Sequence, residues 1–143
     1  MKKIVAVVAV GLFFGLAQAQ SITKKDFIAV CPLDLPGVSA KAAPTAEGVD
    51  VVFDTTVANS IPDLQGRLGL LSDLINRAMA QPTADVPRPG VKFTSKATAT
   101  KDGGRLTLTP SDQGDLEKLQ TNVAATIGTM NAEKTCHRLA NVN

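Results

Sequence analysis

The sequence of 143 residues carries 15 Lys and Arg against 13 Asp and Glu, for a formal net charge of +2. Lys2 and Lys3 lie in an N-terminal export signal that holds no acidic residue, so the mature chain has a charge of 13 − 13 = 0. A neutral chain of this length fits one small domain, and it argues against nucleic-acid binding and polybasic membrane binding, which need a basic surface. An apolar content of 44% favours a folded core over disorder.

The first 19 residues have the three parts of an export signal. Lys2 and Lys3 form a cationic start, residues 4–16 form an apolar run, and residues 17–19 (Ala-Gln-Ala) place small side chains where a signal peptidase reads them. The apolar run is shorter than the roughly 20 residues that cross a bilayer, and no Cys follows the cleavage site. We therefore predict cleavage after residue 19, a periplasmic or secreted location, and no stable membrane insertion afterwards.

The only two cysteines, Cys31 and Cys136, lie near opposite ends of the mature chain. Disulfides persist in the compartments that exported proteins reach, so one bridge between them is the simple prediction. In the chain-entropy model, closing a loop of roughly 100 residues stabilises a fold by about 4 to 5 kcal/mol. The alternative is two separate thiols used for metal binding or catalysis, although cysteines this far apart lack the close spacing of metal or redox pairs.

Two stretches of the mature chain follow one plan of strand, turn, strand and amphipathic helix. The first spans residues 38–80 and the second spans residues 91–135. Between them, residues 81–90 (QPTADVPRPG) contain three prolines, which disfavour both a helix and a central strand, so this segment is predicted to be a connector. Residues 20–143 are therefore predicted to fold as a single domain.

Each copy contains a hairpin in which apolar and polar residues alternate, as they do in half-buried strands. In the second copy the alternation runs through residues 91–99, and Asp102-Gly103-Gly104 tolerates the positive φ of a tight turn. In the first copy, Glu47-Gly48 takes the turn. The apolar residues that correspond in the two copies are Val51 with Leu106 and Phe53 with Leu108.

Each copy ends in a helix with one apolar stripe, because its apolar residues recur at intervals of three and four. The first stripe consists of Leu64, Leu68, Leu71, Ile75 and Met79, and the second of Leu116, Leu119, Val123, Ile127 and Met130. Ser60 with Asp63, and Asp112 with Asp115, have the spacing of capping boxes at the two helix starts. Cys136 would lie opposite the second stripe, so we expect that helix to bend or end before it.

These elements predict the α+β class, with two β-β-α units that form a four-stranded, mainly antiparallel sheet, two helices on one face and one disulfide. The bridge would clip Cys136 onto the segment that contains Phe27, Ile28 and Val30, whose apolar side chains need burial.

The opposite face of the sheet is predicted to be polar. Its side chains would be Lys92, Thr94, Lys96, Thr98, Arg105, Thr107 and Thr109 from the second copy, with Asp50, Val52 and Asp54 from the first. Such a face is either an ordinary solvated sheet surface or a flat recognition surface for a partner or a glycan. The candidate partner-binding residues are Lys92, Thr94, Lys96, Arg105 and Thr107.

The sequence offers little for catalysis. His137 is the only histidine, so a Ser-His-Asp triad or a Cys-His pair would depend on it, and an oxidised Cys136 beside it is no nucleophile. No Gly-rich phosphate loop opens a helix, and the chain has no Trp or Tyr for base stacking. The sequence thus favours a non-catalytic protein without a cofactor, and leaves the question of an enzyme open. The candidate metal ligands are His137, Met130 and Met79.

Several short motifs resemble a group of small exported bacterial proteins. These are Cys31-Pro32-Leu33, Leu35-Pro36-Gly37, GVDVVFDTT from Gly48 and GGRLTLTP from Gly103, followed by a Leu-rich helix. The group opens with a Cys-Pro-Leu or Cys-Pro-Met segment and has no established activity, so the resemblance implies the architecture and the export but no catalytic residue. Its members are richer in His and Met along the first helix, which implies metal handling, whereas this helix holds Met79 and no His.

The leading hypothesis from the sequence is a small, exported, non-catalytic binding or interaction module of the bacterial envelope, whose partner is a protein or an envelope component. One alternative is a periplasmic metal-handling protein that uses His137, Met130 and Met79. Another is an inhibitor of an exported hydrolase, because a disulfide-tied domain can present the loop of residues 81–90 at a low entropic cost.

Overall fold

The computed structural model describes residues 21–86, 90–136 and 138, so the predicted signal peptide, residues 1–19, lies outside the described part. The helices are α1 (Lys24–Ala29), α2 (Ile61–Ala80) and α3 (Leu116–Glu133), and the strands are β1 (Val38–Pro44), β2 (Val49–Thr55), β3 (Phe93–Thr100) and β4 (Gly103–Pro110). Short 3-10 helices precede β1, α2 and α3, at Pro32–Asp34, Ala58–Ser60 and Gln113–Asp115.

The four strands form one antiparallel sheet in the order β1-β2-β4-β3. The apolar side chains of the strands and the stripes of α2 and α3 meet in one core, which includes Val51, Phe53, Leu106, Leu108, Leu64, Leu71, Val123 and Ile127. Met79 and Leu116, at the ends of the stripes, are half-buried. The predicted α+β class is confirmed, with two β-β-α units, two helices on one face and one disulfide.

The two hairpins have the same register when the numbers of the first are shifted by 55. Val38 pairs with Thr55 in the first hairpin and Phe93 pairs with Pro110 in the second, and 93 − 38 and 110 − 55 both equal 55. At the centre of the sheet Val51 on β2 faces Leu106 on β4, and 106 − 51 is again 55. Equivalent residues of the two units therefore meet at the centre of the sheet.

Each long helix packs on the hairpin of the other unit. α2, from the first unit, lies against β3 and β4, and α3, from the second unit, lies mainly against β1. Gln65 Nε2 on α2 donates to the carbonyls of Thr100 and Gly103 in the second hairpin turn, at 3.1 and 3.0 Å. Gln120 Nε2 on α3 donates to Thr45 and Gly48 in the first turn, at 2.8 and 2.7 Å. The units are thus interlocked rather than side by side.

Both hairpin turns need glycine next to a central strand. A Cβ added to Gly48 would collide with the carbonyl oxygen of Leu108, and one added to Gly103 would collide with the carbonyl oxygen of Phe53. A backbone oxygen cannot move aside as a side chain can, so any larger residue would separate the strands. The sequence pattern indicates that these glycines are needed for the turn conformation, but the decisive requirement at both is the close approach of another strand.

The disulfide joins the segment after α1 to the segment after α3. Cys31 and Cys136 are bonded, with 5.2 Å between their Cα atoms. α3 ends at Glu133, and Lys134 takes a left-handed conformation with φ of 53°, which turns the chain before the bridge as expected. Phe27 is fully buried, whereas Ile28 is 49% exposed, so the expectation that Ile28 needs burial is wrong. The reason is that residues 24–29 form a helix, which turns adjacent side chains to different sides.

The predicted capping boxes are only partly present. Ser60 accepts no side-chain capping hydrogen bond and lies in helical conformation, because the 3-10 helix Ala58–Ser60 runs directly into α2. Asp112 caps the 3-10 helix before α3, where its carboxylate accepts from the N–H of Gly114. Within the described residues, a capping box is present at the start of α1, where Thr23 pairs with Asp26.

Candidate functional site

The sheet face opposite α2 and α3 carries polar side chains, and we call it the open face. It is formed by Ser39, Lys41, Asp50, Val52, Asp54, Thr94, Lys96, Thr98, Arg105, Thr107 and Thr109, each exposed or half-exposed. Strand side chains alternate between the two faces, so the residues that pack under the helices leave these neighbours on the outside. The open face includes Thr94, Lys96, Arg105 and Thr107 from the predicted partner-binding set.

Lys92, the fifth residue of that set, precedes β3 rather than lying in it. Its side chain is exposed, and its carbonyl accepts from the N–H of Ser111 at 2.9 Å, which closes the start of the second hairpin. Lys92 therefore stands at the margin of the open face, one residue before Phe93 opens the strand. The structure brings the other four residues together on two adjacent strands.

A three-residue network organises the centre of the open face. Asp50 Oδ2 lies 3.6 Å from Arg105 Nη1, and Thr107 Oγ1 donates to Asp50 Oδ1 at 2.8 Å. The side chain of Asp50 is 18% exposed and that of Arg105 is 45% exposed. Exposed ion pairs contribute only about 0 to 1 kcal/mol to stability. Arg105 therefore lies beside Asp50 with its side chain still exposed, so that a carboxylate or a carbonyl of a partner could accept from its guanidinium.

The register extends this network across the sheet. Lys96 on β3 pairs with Thr107 on β4, and Thr107 pairs with Asp50 on β2. Thr98 stands opposite Arg105 in the same way. This second row continues through Val52 on β2 to Lys41 on β1. The open face therefore presents two neighbouring cross-strand rows, one with Lys96 and one with Arg105 and Lys41.

A groove that sequence analysis misses runs along the β3 edge, and we call it the edge groove. It has a volume of about 480 Å³ and is lined by Gly66, Gly69, Leu70, Ser72, Asp73 and Asn76 of α2 and by Ser95, Lys96 and Ala97 of β3. The signal that could have revealed the groove is the pair of glycines three residues apart within a long helix. Glycine in a helix interior costs stability, so two of them on one side indicate a place where a side chain would take up needed space.

A second, more apolar groove of about 490 Å³ lies between α1 and α2. Its walls include Asp26, Ala29, Val30, Leu70, Asp73, Leu74, Asn76 and Arg77. Leu70 is shared by both grooves and is 56% exposed, the most exposed large apolar side chain of the described residues. The two grooves thus meet along the outer surface of α2.

The candidate metal ligands are not assembled in the described part of the chain. Met130 is fully buried in the core, Met79 packs against the core, and His137 lies outside the described residues. Within residues 21–86, 90–136 and 138, no three His, Cys, Asp or Glu side chains are grouped so that they could hold a metal ion. The metal hypothesis stays an untested prediction.

The connector is tied to the N-terminal segment where it is described. The N–H of Lys24 donates to Asp85 at 2.7 Å, and Thr83 Oγ1 donates to the carbonyl of Ile22 at 3.0 Å. The N–H of Thr83 also donates to the carbonyl of Val86 at 2.9 Å, which closes a tight turn. Residues 87–89, which complete the loop of the inhibitor hypothesis, lie outside the described residues.

Comparisons of the chain with protein-family models, with curated proteins and with solved structures find no match. Among the described helices, none combines the length and the apolar character needed to span a membrane.

Proposed function

We propose that this protein is a small, non-catalytic binding module of the bacterial envelope that recognises a protein partner through its open face. The observation that carries the proposal is the ordered centre of this face, where Asp50 positions both Arg105 and Thr107. A cation with an ion-pair partner samples fewer conformations than a free one, so its contacts with a partner protein cost less entropy.

The shape of the open face favours a protein partner over a small molecule. The face extends across the four strands of a sheet, whereas sites for small ligands are concave and bury most of the ligand. It mixes Thr hydroxyls with Lys41, Lys96 and Arg105, which suits the polar rim and charged contacts of protein interfaces. The disulfide and the interlocked helices make the support rigid, which reduces the ordering cost of association.

The test is an affinity capture from bacterial envelope extract with the mature, oxidised protein and two matched double variants. Arg105→Ala with Thr107→Ala removes the guanidinium and the hydroxyl that contact Asp50 at the centre of the open face. Lys118→Ala with Thr121→Ala makes the same change in charge and nearly the same change in size on the exposed side of α3.

We expect a stoichiometric partner that binds the wild type and the α3 variant but is lost from the open-face variant. Circular dichroism and the urea midpoint would verify that both variants are folded. A partner that binds the open-face variant as tightly as the wild type would show that recognition uses another surface. Turnover of an ester, peptide or glycan substrate that a single substitution abolishes would contradict the non-catalytic role.

A further inference from the structure

The outer edge of β3 exposes backbone groups in a regular row. Ser95 stands opposite Leu108, and its N–H and C=O both bind the side chain of Asn76, at 2.7 and 2.9 Å, instead of the neighbouring strand. In an antiparallel ladder every second residue directs its backbone groups away from the partner strand. Ala97 and Ala99 therefore also point outward, and among the described residues no side chain is hydrogen-bonded to either.

The opposite edge of the sheet provides an internal comparison. Ala40 on β1 binds Asn131 as Ser95 binds Asn76, so Ala42 and Pro44 are the outward positions that correspond to Ala97 and Ala99. Pro44 has no N–H and cannot donate to an added strand, which is one way in which proteins protect a sheet edge. The β3 edge lacks that protection, since position 44 + 55 = 99 is Ala.

The α2 side of the edge groove also has room beside the β3 edge. A Cβ added to Gly66 or Gly69 meets no atom within 4 Å, so these positions leave space along the edge groove. The residues 55 positions later, on α3, are Thr121 and Ala124, which do carry side chains. Leu70 at the border of the groove offers an apolar contact for whatever enters it.

The charges beside this edge select the occupant. On the open-face side, Lys96 lies between Thr94 and Thr98 on β3, and Lys92 lies just before the strand; this row contains no acidic side chain. The acidic residue of the groove, Asp73, lies on the helix side, where it disfavours an acidic side chain of the occupant. An added strand alternates its side chains between the two faces. Residues that turn to the open face would meet the lysines, and residues that turn to the helix side would meet the glycines and Leu70.

We propose that the β3 edge and the edge groove bind an extended peptide segment as a fifth strand, in which acidic residues alternate with small apolar residues. Main-chain hydrogen bonds to Ala97 and Ala99 would supply affinity, and the alternate side chains would supply specificity, as in other cases of strand addition. This deepens the proposed function, on which it rests, by naming the chemical class of the partner segment.

The test uses a blocked nine-residue peptide of alternating Glu and Val, titrated into the mature, oxidised protein at low salt, with two-dimensional amide spectra and hydrogen exchange as readouts. The key variant is Ala99→Pro, which gives β3 the proline that β1 carries at the equivalent position, Pro44. The matched control is Ala42→Pro, the same kind of change at the other edge. A peptide with Lys in place of Glu tests whether binding needs acidic side chains opposite the lysines.

We expect the amides of Ala97 and Ala99 to become protected from exchange when the Glu-Val peptide binds. Losing one main-chain hydrogen bond and the fit of the strand should weaken binding about tenfold in Ala99→Pro. Ala42→Pro should bind as the wild type does, and the Lys-Val peptide should bind more weakly than the Glu-Val peptide. If Ala99→Pro does not fold, the exchange protection of Ala97 in the wild type still decides the question.

Any one of three titration results would overturn the proposal: no binding of the peptide at millimolar concentration, binding without protection of Ala97 and Ala99, or equal binding to Ala99→Pro. A dimer in sedimentation experiments that Ala99→Pro abolishes would also overturn it, because the occupant would then be a second copy. The open-face variant Arg105→Ala with Thr107→Ala separates the two proposals. If this variant loses the envelope partner while the Glu-Val peptide does not bind the wild type, the proposed function stands and the strand-addition proposal fails.

Discussion

Asn76 and Asn131 make the same pair of hydrogen bonds at opposite edges of the sheet. Asn76 on α2 accepts from the N–H of Ser95 and donates to its C=O, and Asn131 on α3 does the same with Ala40. Each asparagine takes the place of a neighbouring strand at one outward residue. Because each helix comes from the other unit, these contacts lock the two units together at both edges.

Replacing either asparagine should destabilise the fold. Asn76→Ala and Asn131→Ala each remove two hydrogen bonds to backbone groups that are partly buried, so we expect a loss of about 1 to 3 kcal/mol in the free energy of unfolding. Asn59→Ala, at an exposed position before α2, is the matched control and should change the value by less than about 0.5 kcal/mol. Urea unfolding measures all three. Equal midpoints for Asn76→Ala and Asn59→Ala would contradict a stabilising role of the Asn76 hydrogen bonds.

Glycine substitutions should separate by position. Gly48→Ala and Gly103→Ala would place a Cβ against a backbone oxygen of the adjacent central strand, so both should be strongly destabilising or fail to fold. Gly66→Ala and Gly69→Ala have open space and lie in the interior of α2, so each should stabilise by about 0.5 to 1 kcal/mol. Thermal unfolding of the four variants tests this. The prediction fails if the two pairs shift in the same direction.

Removing the disulfide should cost stability without changing the fold. Cys31→Ala and Cys136→Ala each open a loop with a sequence separation of 105, so the free energy of unfolding should fall by roughly 2 to 5 kcal/mol. The double variant should be about as stable as either single variant, since one bond is lost in each case. Denaturant midpoints, with and without a reductant, provide the measurement. A single variant with the same midpoint as the oxidised wild type would be inconsistent with the bridge.

Two adjacent leucines on α2 should respond differently to truncation. Leu71 is fully buried in the core, so Leu71→Ala should destabilise by about 2 to 5 kcal/mol. Leu70 is 56% exposed at the edge groove, and Leu70→Ala should change stability by less than about 0.5 kcal/mol. Binding of the Glu-Val peptide should weaken in Leu70→Ala alone. A large loss of stability in Leu70→Ala would place this side chain in the core instead of at the groove.

Several features of the site could be predicted from local pattern alone. The alternation in the second hairpin placed Thr94, Lys96, Arg105 and Thr107 on one face, because side chains in a strand have a period of two regardless of what covers them. The edge groove could not be predicted in this way. It depends on α2 lying beside β3, and a periodic stripe tells which side of a helix is buried but not which strands bury it.

The sequence by itself determined the α+β class, the two apolar stripes, the hairpins and the bridge between Cys31 and Cys136, since these follow from periodicity, turn chemistry and cysteine count. Only the tertiary structure decided that α2 covers the second hairpin and α3 the first. That exchange depends on non-local packing and on the Asn76 and Asn131 contacts with the sheet edges. The tertiary structure also decided the exposure of Ile28, the lack of a Ser60 cap and the open β3 edge. Each of these depends on neighbours that are distant in the chain or on the exact path of the backbone.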